Sequence, residues 1–155
     1  MSLTRAAVAL GSNLGDRAAT LHSALATIAQ LGEVVAVSGF HETAPVGGPE
    51  QGDFLNAVVV IDTTLGPEKL LAGLQRIEDG HGRVRVERWG PRTLDLDLVA
   101  MDGVRRDTPE LTIPHPRAAD RRFVLVPLVE VWPDAEVAPG ITASQALAAL
   151  GNSSD

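Results

Sequence analysis

The 155-residue chain has no cysteine, no tyrosine, a single lysine and five aromatic residues in all. Without cysteine there are no disulfides, thiolate nucleophiles or Cys-ligated zinc, which suits a reducing compartment. Long apolar runs are missing too. Ala6–Leu10, near the start, is shorter than a secretion-signal core, and nothing approaches the roughly 18 apolar residues of a membrane span. The expectation is a soluble, cytoplasmic protein that binds no membrane. A net charge of −7 argues against a general nucleic-acid binder. Because lysine is scarce, cationic chemistry falls to arginine. Lys69 stands against twelve arginines, nine of them between Arg83 and Arg122. Guanidinium groups make forked contacts with phosphate oxygens, so this stretch reads either as a local anion site or as a solvated surface.

A length of 155 residues and 45% hydrophobic content suit one domain spanning 1–155 with one core. Arg5–Leu10 has the composition of a strand, and Gly11–Asp16 that of a turn. Leu21, Leu25 and Ile28 recur at helical spacing, predicting a helix from about Asp16 to Gln30 that ends at Gly32. Val34, Val35 and Val37 mark a second strand running toward His41, and the Pro- and Gly-rich stretch Ala44–Asp53 is a loop. Leu55–Thr63 is a third, buried strand. Pro67 opens a second helix with Leu70, Leu74 and Ile77 on one face. After a Gly- and Arg-rich loop, Gly80–Arg92, Leu94, Leu96 and Leu98 alternate with Asp95 and Asp97 in a fourth strand. Short helices near Phe123–Val131 and Thr142–Leu150 complete the chain. The order predicts an α+β, ferredoxin-like βαββαβ core: a four-stranded antiparallel sheet with two helices on one face, plus a C-terminal extension.

The segment Arg88-Trp89-Gly90-Pro91-Arg92-Thr93-Leu94-Asp95-Leu96-Asp97 carries the most chemical information. Residues two apart on a strand share a face, so Asp95 and Asp97 stand side by side. Adjacent carboxylates repel unless they are solvated, protonated or bridged by a cation, and magnesium favours one or two carboxylates plus substrate phosphate oxygens. Taken alone, Asp-x-Asp also describes a half-exposed strand with its acids in water. Arg83, Arg85, Arg88 and Arg92 precede the strand, however, and bring cations and carboxylates to one strand end, which suits metal-bound polyphosphate. No Gly-x-x-x-x-Gly-Lys-Ser/Thr loop exists, so phosphate binding rests on arginine and metal.

Arg88–Asp97 resembles the signature segment of the 6-hydroxymethyl-7,8-dihydropterin pyrophosphokinases. Further matching blocks are Val8–Gly15, Thr43–Gly47, Phe54–Ala57, Gln75–Glu78, Gly82–Arg85, Ile113–Arg117 and Arg121–Leu125, all in the family's order. The resemblance implies transfer of diphosphate from MgATP to the pterin hydroxymethyl group, with release of AMP, in folate biosynthesis. It implies two magnesium ions on Asp95 and Asp97, with Asp97, Arg83 and Arg92 at the catalytic centre. Gln75, Glu78, Arg85, Trp89, Arg92, Leu98, Thr112, His115 and Arg121 would form the ATP site. Phe54 and Phe123 would sandwich the pterin, while Asn56, Thr43, Ala44, Val46 and Trp89 complete its pocket. ATP and the pterin are the expected partners, and the chain is expected to act as a monomer. Three positions depart from forms found in the family: His41 and Phe54 stand where some members have tyrosine, and Glu110 where some have arginine. Two other readings of the same residues are a non-catalytic ferredoxin-like binding module and a metal-dependent phosphodiesterase.

Overall fold

The computed structural model describes residues 2–13, 16–43, 54–82 and 94–151. In chain order the elements that build the sheet are β1 (Thr4–Ser12), α1 (Arg17–Ile28), β2 (Glu33–Val37), β3 (His41–Thr43), β4 (Phe54–Thr63), α2 (Pro67–Gly82) and β5 (Asp95–Met101). Two short antiparallel pairs follow, β6 (Arg106–Asp107) with β7 (Thr112–Ile113), and β8 (Glu136–Ala138) with β9 (Ile141–Thr142). Between these pairs lies α3 (Arg122–Val131), and α4 (Ala143–Leu150) comes last. The architecture is α+β. Among the described residues no helix is long and apolar enough to cross a membrane.

Helix starts follow their local chemistry. The Asp16 side chain accepts the Ala19 N–H at 3.1 Å and so caps α1. Thr142 and Gln145 form a reciprocal capping box at the start of α4.

The antiparallel sheet runs β2–β4–β1–β5, and β3 also pairs with β4. It therefore has five strands, not four. The expected second strand is broken into β2, opposite residues 59–62 of β4, and β3, opposite residues 54–56. Ser38 makes the break. Its hydroxyl accepts the Val58 N–H at 2.9 Å and donates to the Gly39 carbonyl at 2.8 Å, so the pairing needs of β4 are met while the edge strand is interrupted. The first strand is also longer than expected. Gly11 and Ser12 continue β1, opposite Asn56 and Leu55 of β4, rather than beginning a turn.

Each face of the sheet is covered. On one face Val8, Leu10, Val59, Ile61, Leu96 and Leu98 pack against Leu21, Ala24 and Ile28 of α1 and Leu70, Leu74 and Ile77 of α2. The other face carries Ala7, Val58, Val60, Val99 and Ala100, packed under Val124, Leu125 and Leu128 of α3 and Ala143 and Ala146 of α4. The two core helices, α1 and α2, thus share one face as expected, and the C-terminal extension forms a second helical layer on the other. At about 25 cal/mol per Å² of apolar area, both layers contribute materially to stability. The second layer stops short of the sheet end that bears Asp95, and the site lies there.

Candidate active site

Strand register assembles the site. Gly11 at the centre of the sheet pairs with Asn56 on one side and Asp95 on the other, while Ala9 pairs with Asp97. Side chains two apart point the same way, so Phe54, Asn56, Asp95 and Asp97 share the α3 face, and their leucine neighbours in β5 face α1 and α2. Together with the N-terminal end of α3 they line an open cavity of about 650 Å³. Thr43, Glu78, Arg121 and Phe123 line it as well. The two aspartates therefore share a cleft, and the volume falls within the range of small-molecule sites.

One end of the cleft suits a flat, polar heterocycle. The Asn56 side chain is buried, and its Nδ2 donates to Thr43 Oγ1 at 2.5 Å. That bond fixes the amide and puts Oδ1 over Gly11: a Cβ built there would lie 3.1 Å from Oδ1 and 4.0 Å from Phe54 Cδ1. A methyl at position 11 would crowd the Asn56 amide, so glycine keeps this part of the cleft floor low. Phe123 stands at the start of α3, with the Arg121 guanidinium carbon 5.7 Å from its ring centroid.

The other end is ionic. The Asp97 side chain is half exposed, and its Oδ1 lies 3.9 Å from His115 Nε2. Burial pushes the His115 pKa below its ordinary 6.5, with Arg121 and Arg117 acting in the same direction against the Asp97 charge. The shift favours the neutral imidazole, and the contact with Asp97 is an ion pair only when the ring is protonated. His115 Nδ1 accepts the Arg117 N–H at 3.2 Å, which leaves the ring proton on Nε2, on the Asp97 side. Glu78 reaches from α2 to accept the Leu96 N–H at 2.7 Å, pinning the backbone between the two aspartates. Among the described residues no three His, Cys, Asp or Glu side chains converge as a metal cage. Two hard carboxylates beside open space fit magnesium that also takes phosphate oxygens.

Some candidates lie elsewhere. Gln75, Leu98, Thr112 and His115 are not lining residues of this cavity, although His115 flanks it at Asp97. Leu98 is 3% exposed, its side chain in the core under α1 and α2 and turned away from the cleft. Ala44, Val46, Arg83, Arg85, Trp89 and Arg92 lie outside the described residues. The cleft also contains residues that sequence reasoning missed: Gly11, Arg117, Asp120 and Arg122. For the arginines the signal was present in the cluster ending at Arg122. For Gly11 it lay only in the register of three strands.

The cleft thus gathers two carboxylates, three arginines and an aromatic and amide slot, a set whose chemistry suits a polyphosphate next to a ring. Comparison with known proteins gives the family. Residues 7–133 match the family described as 7,8-dihydro-6-hydroxymethylpterin-pyrophosphokinase (HPPK). The chain is 47% identical over 129 residues to the 2-amino-4-hydroxy-6-hydroxymethyldihydropteridine pyrophosphokinase of Haemophilus influenzae, covering 82% of this chain and 81% of that protein. It is 45% identical to the enzyme of the same name from Methylorubrum extorquens, covering 96% and 94%. Among solved structures, the wild-type Plasmodium falciparum HPPK-DHPS with pteroate aligns with a TM-score of 0.73 at 15% identity, which shows the shared fold. That alignment covers 95% of this chain and 42% of the larger one. The chain belongs to the HPPK family.

Proposed function

We propose that this chain transfers the β,γ-diphosphate of MgATP to the hydroxymethyl oxygen of 6-hydroxymethyl-7,8-dihydropterin, releasing AMP, in folate biosynthesis. The observation that carries the reading is the single cleft lined both by Asp95 and Asp97 and by Phe54, Asn56 and Phe123. In this reading the core is a ferredoxin-like single domain acting as a cytoplasmic monomer on two small substrates.

The reaction is an in-line displacement. The alcohol oxygen bonds to the β-phosphorus, the bond from that phosphorus to the oxygen bridging the α-phosphate breaks, AMP departs with the electron pair, and the alcohol proton is lost. Positioning and charge neutralisation account for most of the acceleration. The pterin lies on the low floor at Gly11, between Phe54 and Phe123. Asn56 Oδ1, its orientation set by Thr43, accepts from the ring's N–H edge. Asp95 and Asp97 would hold two magnesium ions, whose chemistry is to offset phosphate charge. Arg121, with the Nε2–H of neutral His115, would meet phosphate oxygens. Arg83, Arg85, Trp89 and Arg92 would cover the nucleotide, and Arg83 and Arg92 would stabilise the transferring group. Gln75, Glu78 and Thr112 complete the proposed nucleotide side, and Ala44 and Val46 the pterin side.

The test is incubation of the chain with MgATP and the reduced pterin, followed by nucleotide analysis. AMP formed only when pterin is present supports the reading. ADP would identify a different kinase, and the absence of any product would leave a binding module. Chelation of the metal should abolish AMP formation.

A further inference from the structure

Outside the cleft, one side chain ties its two walls together. Glu130, near the end of α3, accepts the Gly39 N–H on Oε1 at 2.9 Å, and its Oε2 takes His41 Nε2 at 2.7 Å. Gly39 lies in the break between β2 and β3 and His41 opens β3, so the carboxylate bridges the interrupted edge to the helix. Geometry links this bridge to the pterin slot. Glu130 and Phe123 are seven residues apart on α3, hence on the same helix face about 10 Å apart. His41 and Thr43 share a face of β3, and Thr43 holds Asn56. The helix thus carries one wall of the slot in Phe123, while β3 meets the other through Thr43, which pairs with Phe54 and holds Asn56; Glu130 and His41 fasten helix and strand at the far end. A flat ring between two apolar faces needs about 7 Å, so a small rotation of either element opens or closes the fit.

We infer that Glu130 is a positioning residue that sets the width of the pterin slot through Gly39 and His41. The inference rests on the pyrophosphokinase reading of the cleft. Anchoring of α3 to the sheet does not depend on this contact: Val124, Leu125 and Leu128 are buried against the sheet, whereas the Glu130 and His41 side chains are 39% and 33% exposed. The bridge therefore governs alignment more than folding. His41, which departs from the tyrosine of some relatives, acquires a partner here and with it a role.

The experiment measures KM for pterin and for ATP, kcat, and the thermal unfolding midpoint in Glu130→Ala, Glu130→Gln and His41→Ala. Glu130→Ala should raise the pterin KM about tenfold while the ATP KM stays within about twofold and the midpoint moves little. Glu130→Gln keeps an acceptor for Gly39 and should recover most of the loss. An unchanged pterin KM would overturn the inference, as would pterin KM, ATP KM and midpoint shifting together. Should Glu130→Ala fail to fold, His41→Ala decides by the same pterin-only shift. If the wild-type chain turns over normally and the variants match it, this inference alone falls; if the wild-type chain forms no AMP, the functional reading falls and takes the inference with it.

Discussion

The two faces of the sheet meet different demands with the same strands. In β5, Leu96 and Leu98 point into the layer under α1 and α2, while Asp95 and Asp97 point into the cleft on the other side. The first face is closed along its length by two helices. The second is closed by α3 and α4 only over its middle and is open where β1, β4 and β5 bring Gly11, Asn56 and Asp95 into line. Strand alternation thus lets one short segment supply core on one side and chemistry on the other, so stability and turnover should be separable by face.

Substitutions should expose that separation. The largest effect is expected on the open face: Asp97→Asn should lower kcat about 10²- to 10³-fold, measured as AMP release, and leave the unfolding midpoint near the wild-type value. Its side chain is half exposed, so little packing is lost. On the closed face, Leu74→Ala should cost about 3 kcal/mol in denaturant unfolding, since Leu74 is 1% exposed. The folded fraction should retain kcat within about twofold; a collapse in kcat would mean that the faces are coupled. The smallest effect belongs to the floor. Gly11→Ala puts a methyl 3.1 Å from Asn56 Oδ1, and the amide must yield by a few tenths of an ångström. The pterin KM should rise about fivefold, with the ATP KM unchanged. Equal losses for both substrates would remove Gly11 from the pterin side.

Much of this arrangement was legible in the chain. Local periodicity marks α2 through Leu70, Leu74 and Ile77, and the alternation of leucine and aspartate by itself puts Asp95 and Asp97 on one face. What escaped depends on contacts distant in sequence. The split of the edge strand comes from the Ser38 hydroxyl meeting Val58 twenty residues away, and no local pattern encodes that pairing. The short helix near Phe123–Val131 is legible as a helix, but nothing local says which side of the sheet receives it. Gly11 read as a turn glycine because its role exists only once Asn56 lies beside it. The resemblance implies Glu78 as an ATP contact; what the structure shows is Glu78 holding the Leu96 amide. The arginine-bearing loop that suggested polyphosphate lies largely outside the described residues, so its part of the site is carried by sequence alone.

The break at Ser38 also bears on how the molecule behaves in company. β2 is an outer strand with Val34, Val35 and Val37 exposed at 38%, 43% and 42%, a composition that invites another chain to add on. Because Ser38 and Gly39 turn their hydrogen-bonding groups to Val58 and Glu130, the unclaimed border ends after five residues and never becomes one ribbon running on to Thr43. The interruption beside the cleft thereby also shortens the template on which aggregation could begin.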